Sequence, residues 1–228
     1  MENMKLTGFA FGIRTIKSFS TEDKLGAIID EILYSKESAF NPNLFTEVRG
    51  NHNTKVLTDS QDRNKFTITQ NDFVFDYNIE KNFDDEYQKY LKSYIEILTK
   101  NIFKEYSIRN INRFGFIIKS VLSKKDTFIQ EVSKIISKNN GDEDSLSLRF
   151  NVINKKPLKI GKEVTQDYYN EIISYDKQNS NSPLNFFVDY QKYFIPELKI
   201  IDDAKPNYED FCNSAMSKFK KTYLETEK

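Results

Sequence analysis

The sequence predicts an α+β fold: a mostly antiparallel sheet with amphipathic helices packed on one main face. Three observations predict it. Residues 82–106 repeat apolar side chains at three- and four-residue steps, as one face of a long helix requires. Several other stretches alternate apolar and polar residues with a period of two, as half-buried strands do. Gln70-Asn71-Asp72 between two such stretches is reversal chemistry, which joins strands as an antiparallel hairpin.

Taken in order, Leu6–Ile16 alternates Phe9, Phe11 and Ile13 against small or polar neighbours and is predicted as a strand. Gly8 and Gly12 lie on its opposite face, where strong twist or a bulge explains them better than close approach of a ligand. Ser20 or Thr21 caps a helix over about 22–34 with the stripe Leu25, Ile28, Ile29, Ile32 and Leu33. Asn41-Pro42-Asn43 is a turn, Leu44–Arg49 a short strand, and Gly50–Thr54 a polar loop holding His52. Residues 55–60 form another short strand, followed by the hairpin in which Phe66 and Ile68 precede the turn and Phe73, Phe75, Tyr77 and Ile79 follow it.

Asn82 caps the long helix, Asp84, Asp85 and Glu86 fill its first turn, and Lys100 and Lys104 sit near its end, so its charges complement the helix dipole. Its stripe includes Tyr87, Tyr90, Leu91, Tyr94, Ile95, Leu98, Ile102 and Phe103. A polar link over 107–110 leads into the strand Ile111–Leu122, whose Phe114, Phe116 and Ile118 share one face. Laying the tyrosine-rich helix over that face gives the simplest core. A third helix is expected over Lys124–Lys138, stopped by Asn139-Asn140-Gly141. Ser145–Ile153 reads as a strand, 154–166 as a basic loop around Pro157 and Gly161, and Tyr168–Tyr175 as strand or helix. Leu184–Phe194 is a strand, Ile195–Lys205 a loop or strand tail. The last helix starts near Pro206 and turns Tyr208, Phe211, Cys212, Ala215, Met216, Phe219 and Tyr223 inward.

The chain has 228 residues, enough for one α+β domain over 1–228, with sub-halves expected at 1–122 and 123–228. Its 19 Phe and 13 Tyr make aromatics the main core material. The 34 basic and 34 acidic residues cancel, removing the long-range field that nonspecific nucleic-acid binders use. A single cysteine excludes an intramolecular disulfide and a cysteine metal cluster, which fits a cytoplasmic protein. No apolar run reaches the roughly 18–20 residues of a membrane span, so no membrane partner is expected. The excess of lysine over arginine, with abundant Asn and Ile, suggests a bacterial or phage source.

The strand Arg113-Phe114-Gly115-Phe116 after a long amphipathic helix resembles the Arg-x-Gly strand of a sporadically distributed family of uncharacterised bacterial proteins. The Leu184–Tyr190 strand and the closing helix through Phe219 are similar in order to that family's C-terminal part. Ile117 and Ile118 depart from it, standing where the family commonly has Arg and Tyr. The resemblance implies α+β architecture and a bacterial or mobile-element origin, and no reaction.

The sequence holds no phosphate-binding loop, dinucleotide fingerprint, zincin motif or nucleophile elbow. A histidine-dependent site has only His52, in a polar loop without an orienting partner. Glu47, Asp59, Asp62, Asp72, Asp76 and Asp189 are the carboxylates available to a magnesium site, without nuclease-like pairing. Catalytic residues, metal and cofactor are therefore all expected to be none. Arg14, Arg113, Lys119 and Arg149 interrupt otherwise apolar strands and form a basic sheet face if the strands are neighbours. Lys155, Lys156, Lys159 and Lys162 add a basic loop. Solvated charges paired with Glu47, Asp76 or Asp189 are the plainer reading of the strand cations. The expectation is a non-catalytic protein that binds a protein partner, in a defence, counter-defence or toxin-related system. The alternative is a selective nucleic-acid binder using the basic face, and the third a carboxylate-metal hydrolase.

Overall fold

The computed structural model describes residues 5–16, 23–43, 45–51, 54–59, 63–79, 83–106, 108, 110–122, 146–155, 158–160, 163–165, 168–177, 183–198 and 204–226. The fold is α+β. Its strands are β1 (Lys5–Thr15), β2 (Phe45–Asn51), β3 (Thr54–Asp59), β4 (Lys65–Thr69), β5 (Asp72–Asn78), β6 (Ile111–Leu122), β7 (Leu146–Lys155), β8 (Leu158–Ile160), β9 (Glu163–Thr165), β10 (Tyr168–Lys177) and β11 (Leu184–Leu198). Helix α1 is Leu25–Tyr34; α2 runs through Phe83–Glu96, a π segment Ile97–Ile102 and a last turn Phe103–Glu105; α3 is Ala204–Thr226.

Nine strands form one sheet in the order β2-β3-β4-β5-β1-β6-β11-β10-β7, and every neighbouring pair is antiparallel. A topology repeats within it. β1 is rejoined by β5 at the end of the β2–β5 meander, and β6 is rejoined by β11 after β7 and β10. A helix follows each closing strand, α2 after β5 and α3 after β11. The pattern therefore restarts at Ile111 rather than at Ser123, and the two opening strands, β1 and β6, pair at the centre of the sheet.

One face of that sheet is aromatic. Phe9, Phe11, Ile13, Phe66, Phe73, Phe75, Phe114, Phe116, Ile118, Phe186 and Val188 are all buried there, in one cluster with the inward residues of α1, α2 and α3. Three helix tyrosines reach beyond packing to grip strand carbonyls. Tyr94 donates to Phe73 O at 2.5 Å, Tyr223 to Val121 O at 2.9 Å and Tyr208 to Gly115 O at 3.0 Å. The Tyr208 hydroxyl also accepts from Gly12 N–H at 3.1 Å, so one buried side chain links the two central strands. A phenylalanine fills the same volume without tying helix to sheet, which is why these positions use tyrosine.

The structure departs from or refines the sequence reading in several places, and α1 begins only at Leu25, with Lys24 at its N-cap. First, the long helix contains the π segment, closed by Phe103 N–H donating to Leu98 O across five residues. Ile97, Leu98 and Thr99 are all buried there, and α1 packs on the same turn, where Asn101 Nδ2 donates to Glu31 Oε2 at 3.0 Å. A turn enclosed on two sides needs more inward positions than an α turn supplies, and the wider π turn supplies them. Second, β7 continues to Lys155 and the expected basic loop contains the antiparallel pair β8–β9, because Leu158, Ile160 and Val164 alternate with polar residues across a two-residue connection. Third, Tyr168–Lys177, predicted as strand or helix, is a strand, and β11 continues through Pro196 to Leu198 as the strand tail that is one of the two expectations there. Fourth, α3 begins at Ala204, with Pro206 in its first turn, where no intrahelical N–H is needed. The expected Lys124–Lys138 helix and His52 lie outside the described residues, while Gly50 and Asn51 of the expected loop belong to β2 and Thr54 to β3.

Two glycines are fixed by geometry. A Cβ on Gly8 would stand 2.7 Å from Tyr77 O, beside the irregularity between Leu6 and Gly8 in the β1–β6 register, so the bulge explains it. Gly50, at φ +130°, stands next to last in β2 in a conformation only glycine takes without strain.

Candidate functional site

Strand alternation sends half of each strand to the face opposite the helices. On β5, β6 and β11 these residues are half-buried while their neighbours are fully buried, and among the described residues the helices contribute to the aromatic face alone. The face that the described helices leave uncovered, on which Ala10 and Ile172 are nevertheless buried, is the candidate site.

Its register can be read across the sheet. One row runs Asp72–Arg14–Arg113–Tyr193–Tyr168–Lys155, from β5 through β1, β6, β11 and β10 to β7. The next holds Val74, Gly12, Gly115, Gln191 and Asn170. Beyond lies Lys65, Asp76, Ala10, Ile117, Asp189 and Ile172, and then Asn78, Gly8, Lys119, Phe187, Ser174 and Arg149. Arg14 and Arg113 are thus cross-strand neighbours, while Lys119 is six residues further along β6, roughly 20 Å away at strand rise. Arg149 shares the Lys119 row, and Lys155 the Arg113 row. The side chains of Arg149, Lys155 and Lys159 and all of Lys156 and Lys162 lie outside the described residues.

The described cations share the face with acids. Arg14 binds Asp72 bidentately, Nε to Oδ1 at 2.7 Å and Nη2 to Oδ2 at 2.8 Å. That hydrogen bonding holds the Arg14 guanidinium above its ordinary pKa. Arg113 stands 3.7 Å from the same carboxylate, and Lys119 forms an ion pair with Asp76. This is the plainer reading, with Asp72 added as a partner. Asp189 accepts from Gln191 Nε2 at 2.6 Å. A face on which Asp72, Asp76, Asp176 and Asp189 interleave with Arg14, Lys65, Arg113 and Lys119 has mixed charge, not a basic field.

Beside Arg113 lies a polar-aromatic cluster. The Tyr193 and Tyr168 rings stack at 4.4 Å and 7°, and the Arg113 guanidinium lies 5.8 Å from the Tyr193 ring centre. Tyr193 OH donates to Gln191 Oε1 at 2.8 Å, which also accepts from Asn170 Nδ2 at 3.2 Å. Burial, and then the neighbouring Tyr193, raise the pKa of Tyr168. At this end of the sheet two apolar side chains face water, Ile16 at 41% and Ile195 at 49% exposure. Both lie past an irregularity in strand pairing, between Arg14 and Thr15 on β1 and between Tyr193 and Leu198 on β11, and Ile16 donates from its N–H to Asn110 O. The sequence reading missed Tyr168, Tyr193, Ile16 and Ile195. The available signal was that each is a large side chain at the end of a strand that also carries an outward arginine or a polar residue.

The other candidate chemistries find less support in the geometry. Asp59 accepts from Arg63 N–H and Asn64 Nδ2, both at 2.8 Å, as the staple of its loop. Among the described residues no group of three potential ligands is arranged to hold a metal ion. Cys212 is fully buried beside Tyr208, and burial raises its thiol pKa well above the ordinary value. No described helix is long and apolar enough to cross a membrane. In comparisons with known proteins, no family model and no curated protein matches this chain.

Proposed function

We propose that the chain is a non-catalytic binding protein whose uncovered sheet face receives another protein, centred on the end where Arg113, Tyr193 and Tyr168 meet Ile16 and Ile195. The observation that carries this reading is an arginine beside stacked tyrosines on a face of interleaved charge, with two exposed isoleucines at the same end of the sheet. Arg, Tyr and desolvated apolar side chains are what concentrate binding energy at protein interfaces. Carboxylates among the cations oppose a polyanionic backbone, which ranks nucleic acid second; the stacked tyrosines beside an arginine are the feature that keeps it in view. The composition and the resemblance of the Arg113–Phe116 strand favour a bacterial or phage setting, in a defence, counter-defence or toxin-related system.

The test is chemical crosslinking and mass spectrometry on tagged protein expressed in a bacterial host beside its genomic neighbours. Wild type should crosslink to one protein in near-stoichiometric yield through the 14–16, 113 and 193–195 region. Ile195→Asp should lose it with an unchanged melt. Crosslinks confined to the helix side, or co-purified RNA released by salt, would reject the reading.

A further inference from the structure

The coordination around Arg113 is incomplete. Both oxygens of Asp72 already accept hydrogen bonds from Arg14, at 2.7 and 2.8 Å. Arg113 Nη2 reaches the same carboxylate only at 3.7 Å, and its Nη1 reaches Tyr193 OH at 3.5 Å, the outer limit of a hydrogen bond. A guanidinium has five N–H donors in a planar fork, and this one has only 23% of its side chain exposed to water. Two guanidiniums therefore share one carboxylate, leaving the cluster one positive charge in excess. Among the described residues no other carboxylate is paired with Arg113.

We infer that the protein segment seated on this face presents a carboxylate to Arg113, flanked by apolar side chains that cover Ile16 and Ile195. A carboxylate matches the open fork bidentately and balances the excess charge. Among the described side chains a short acidic-apolar segment fits better than an extended polyanion; the Lys155 side chain, in the same row, lies outside them. Gln191 and Asp189 lie next along β11 and Lys119 is already bound to Asp76, so a second phosphate would find no free cation beside the first among the described side chains. The stacked Tyr193 and Tyr168 rings supply a rigid wall on one side of the anchoring carboxylate, at little entropic cost. This inference rests on the protein-docking reading above and specifies the chemistry of what docks.

The test selects a phage-displayed random peptide library on immobilised full-length protein and measures the enriched peptides, made synthetically, by calorimetry. Enriched sequences should share an Asp or Glu within two residues of a large apolar side chain. Arg113→Gln should weaken them tenfold or more, Arg113→Lys should recover only part of the loss, and Ile195→Asp should weaken them as strongly. All three variants should melt with wild type. Peptides that lack a common acid, or that bind Arg113→Gln as well as wild type while failing on Ile195→Asp, would overturn the carboxylate anchor and leave the docking face standing. Enriched peptides indifferent to both substitutions, or a library that yields none, would overturn the two together. Mixed-sequence oligonucleotides at low salt form the remaining arm; tight binding removed by Arg113→Gln would replace the carboxylate by phosphate and reject the inference.

Discussion

Tyr208→Phe removes one oxygen from the centre of the molecule and keeps the ring. The ring packs at 4.9 Å from Phe114 and 5.8 Å from Tyr94, so the apolar contacts survive. What goes is the hydroxyl that accepts from Gly12 N–H at 3.1 Å and donates to Gly115 O at 3.0 Å. Tyr208 is 0% exposed, so water cannot replace it without opening the core. A buried donor or acceptor left without its partner costs about 1–3 kcal/mol; here one of each loses a partner, partly offset if the strands close toward one another, so a net loss of about 2 kcal/mol is expected. For a chain of this length that corresponds to a fall in Tm of roughly 4–8 °C. Urea unfolding followed by circular dichroism measures the loss, and amide exchange at Gly12 locates it. Tyr87→Phe is the control, since its hydroxyl makes a longer 3.3 Å bond to Asn213 at the edge of the core. If Tyr208→Phe is as stable as wild type and Gly12 exchanges no faster, the hydroxyl is not what links β1 to β6 and the argument fails.

Two other outcomes follow from the same core. Phe116→Asp should unfold the protein or lower its stability by several kcal/mol, because it buries a carboxylate among the rings of Phe11 and Tyr87; a near-native melt would show that β6 does not face α2. Alkali should destabilise. Burial raises the pKa of Tyr87, Tyr94, Tyr190, Tyr208 and Cys212, so the folded state keeps protons that the unfolded chain releases above about pH 9–10. With fewer protons bound in the unfolded state, stability is flat below that range and falls above it, by up to about 1.4 kcal/mol per pH unit for each group. Part of the tyrosinate absorbance should therefore rise only together with loss of circular dichroism; a rise that accounts for all 13 tyrosines while the dichroism stays native would contradict the burial of these hydroxyls.

What sequence could reveal follows from how local each feature is. Alternation in 65–79 and 111–122 and the helical stripe of 83–106 are properties of neighbouring residues, and they specified strand, helix and inward face before any tertiary contact was known. The π segment was hidden because its cause is α1 crossing α2, a contact between residues some 70 positions apart. The β8–β9 pair was masked by its lysines, which speak for solvent rather than for a loop. Arg14, Arg113 and Lys119 were legible as odd residues in apolar strands, but their partners were not. Asp72 looked like turn chemistry, and it is at the start of β5; only the pairing of β5 with β1 and of β1 with β6 places it beside two arginines.

That placement has an energetic meaning for function. Like charges directly across an antiparallel pair are unfavourable, and Arg14 opposite Arg113 is such a pair at the centre of the sheet. Asp72 relieves it, yet bonds closely to Arg14 alone, so the fold gains little from a second arginine that an apolar or hydroxyl side chain on the same strand would not provide. The same residue is poorly placed to serve folding: partly withdrawn from water, steered by a tyrosine ring, and short of close acceptors among the described residues. Stability explains Arg14 through Asp72 and Lys119 through Asp76. Arg113 has no described carboxylate of its own at hydrogen-bond distance, which is why the proposed docking is centred on it.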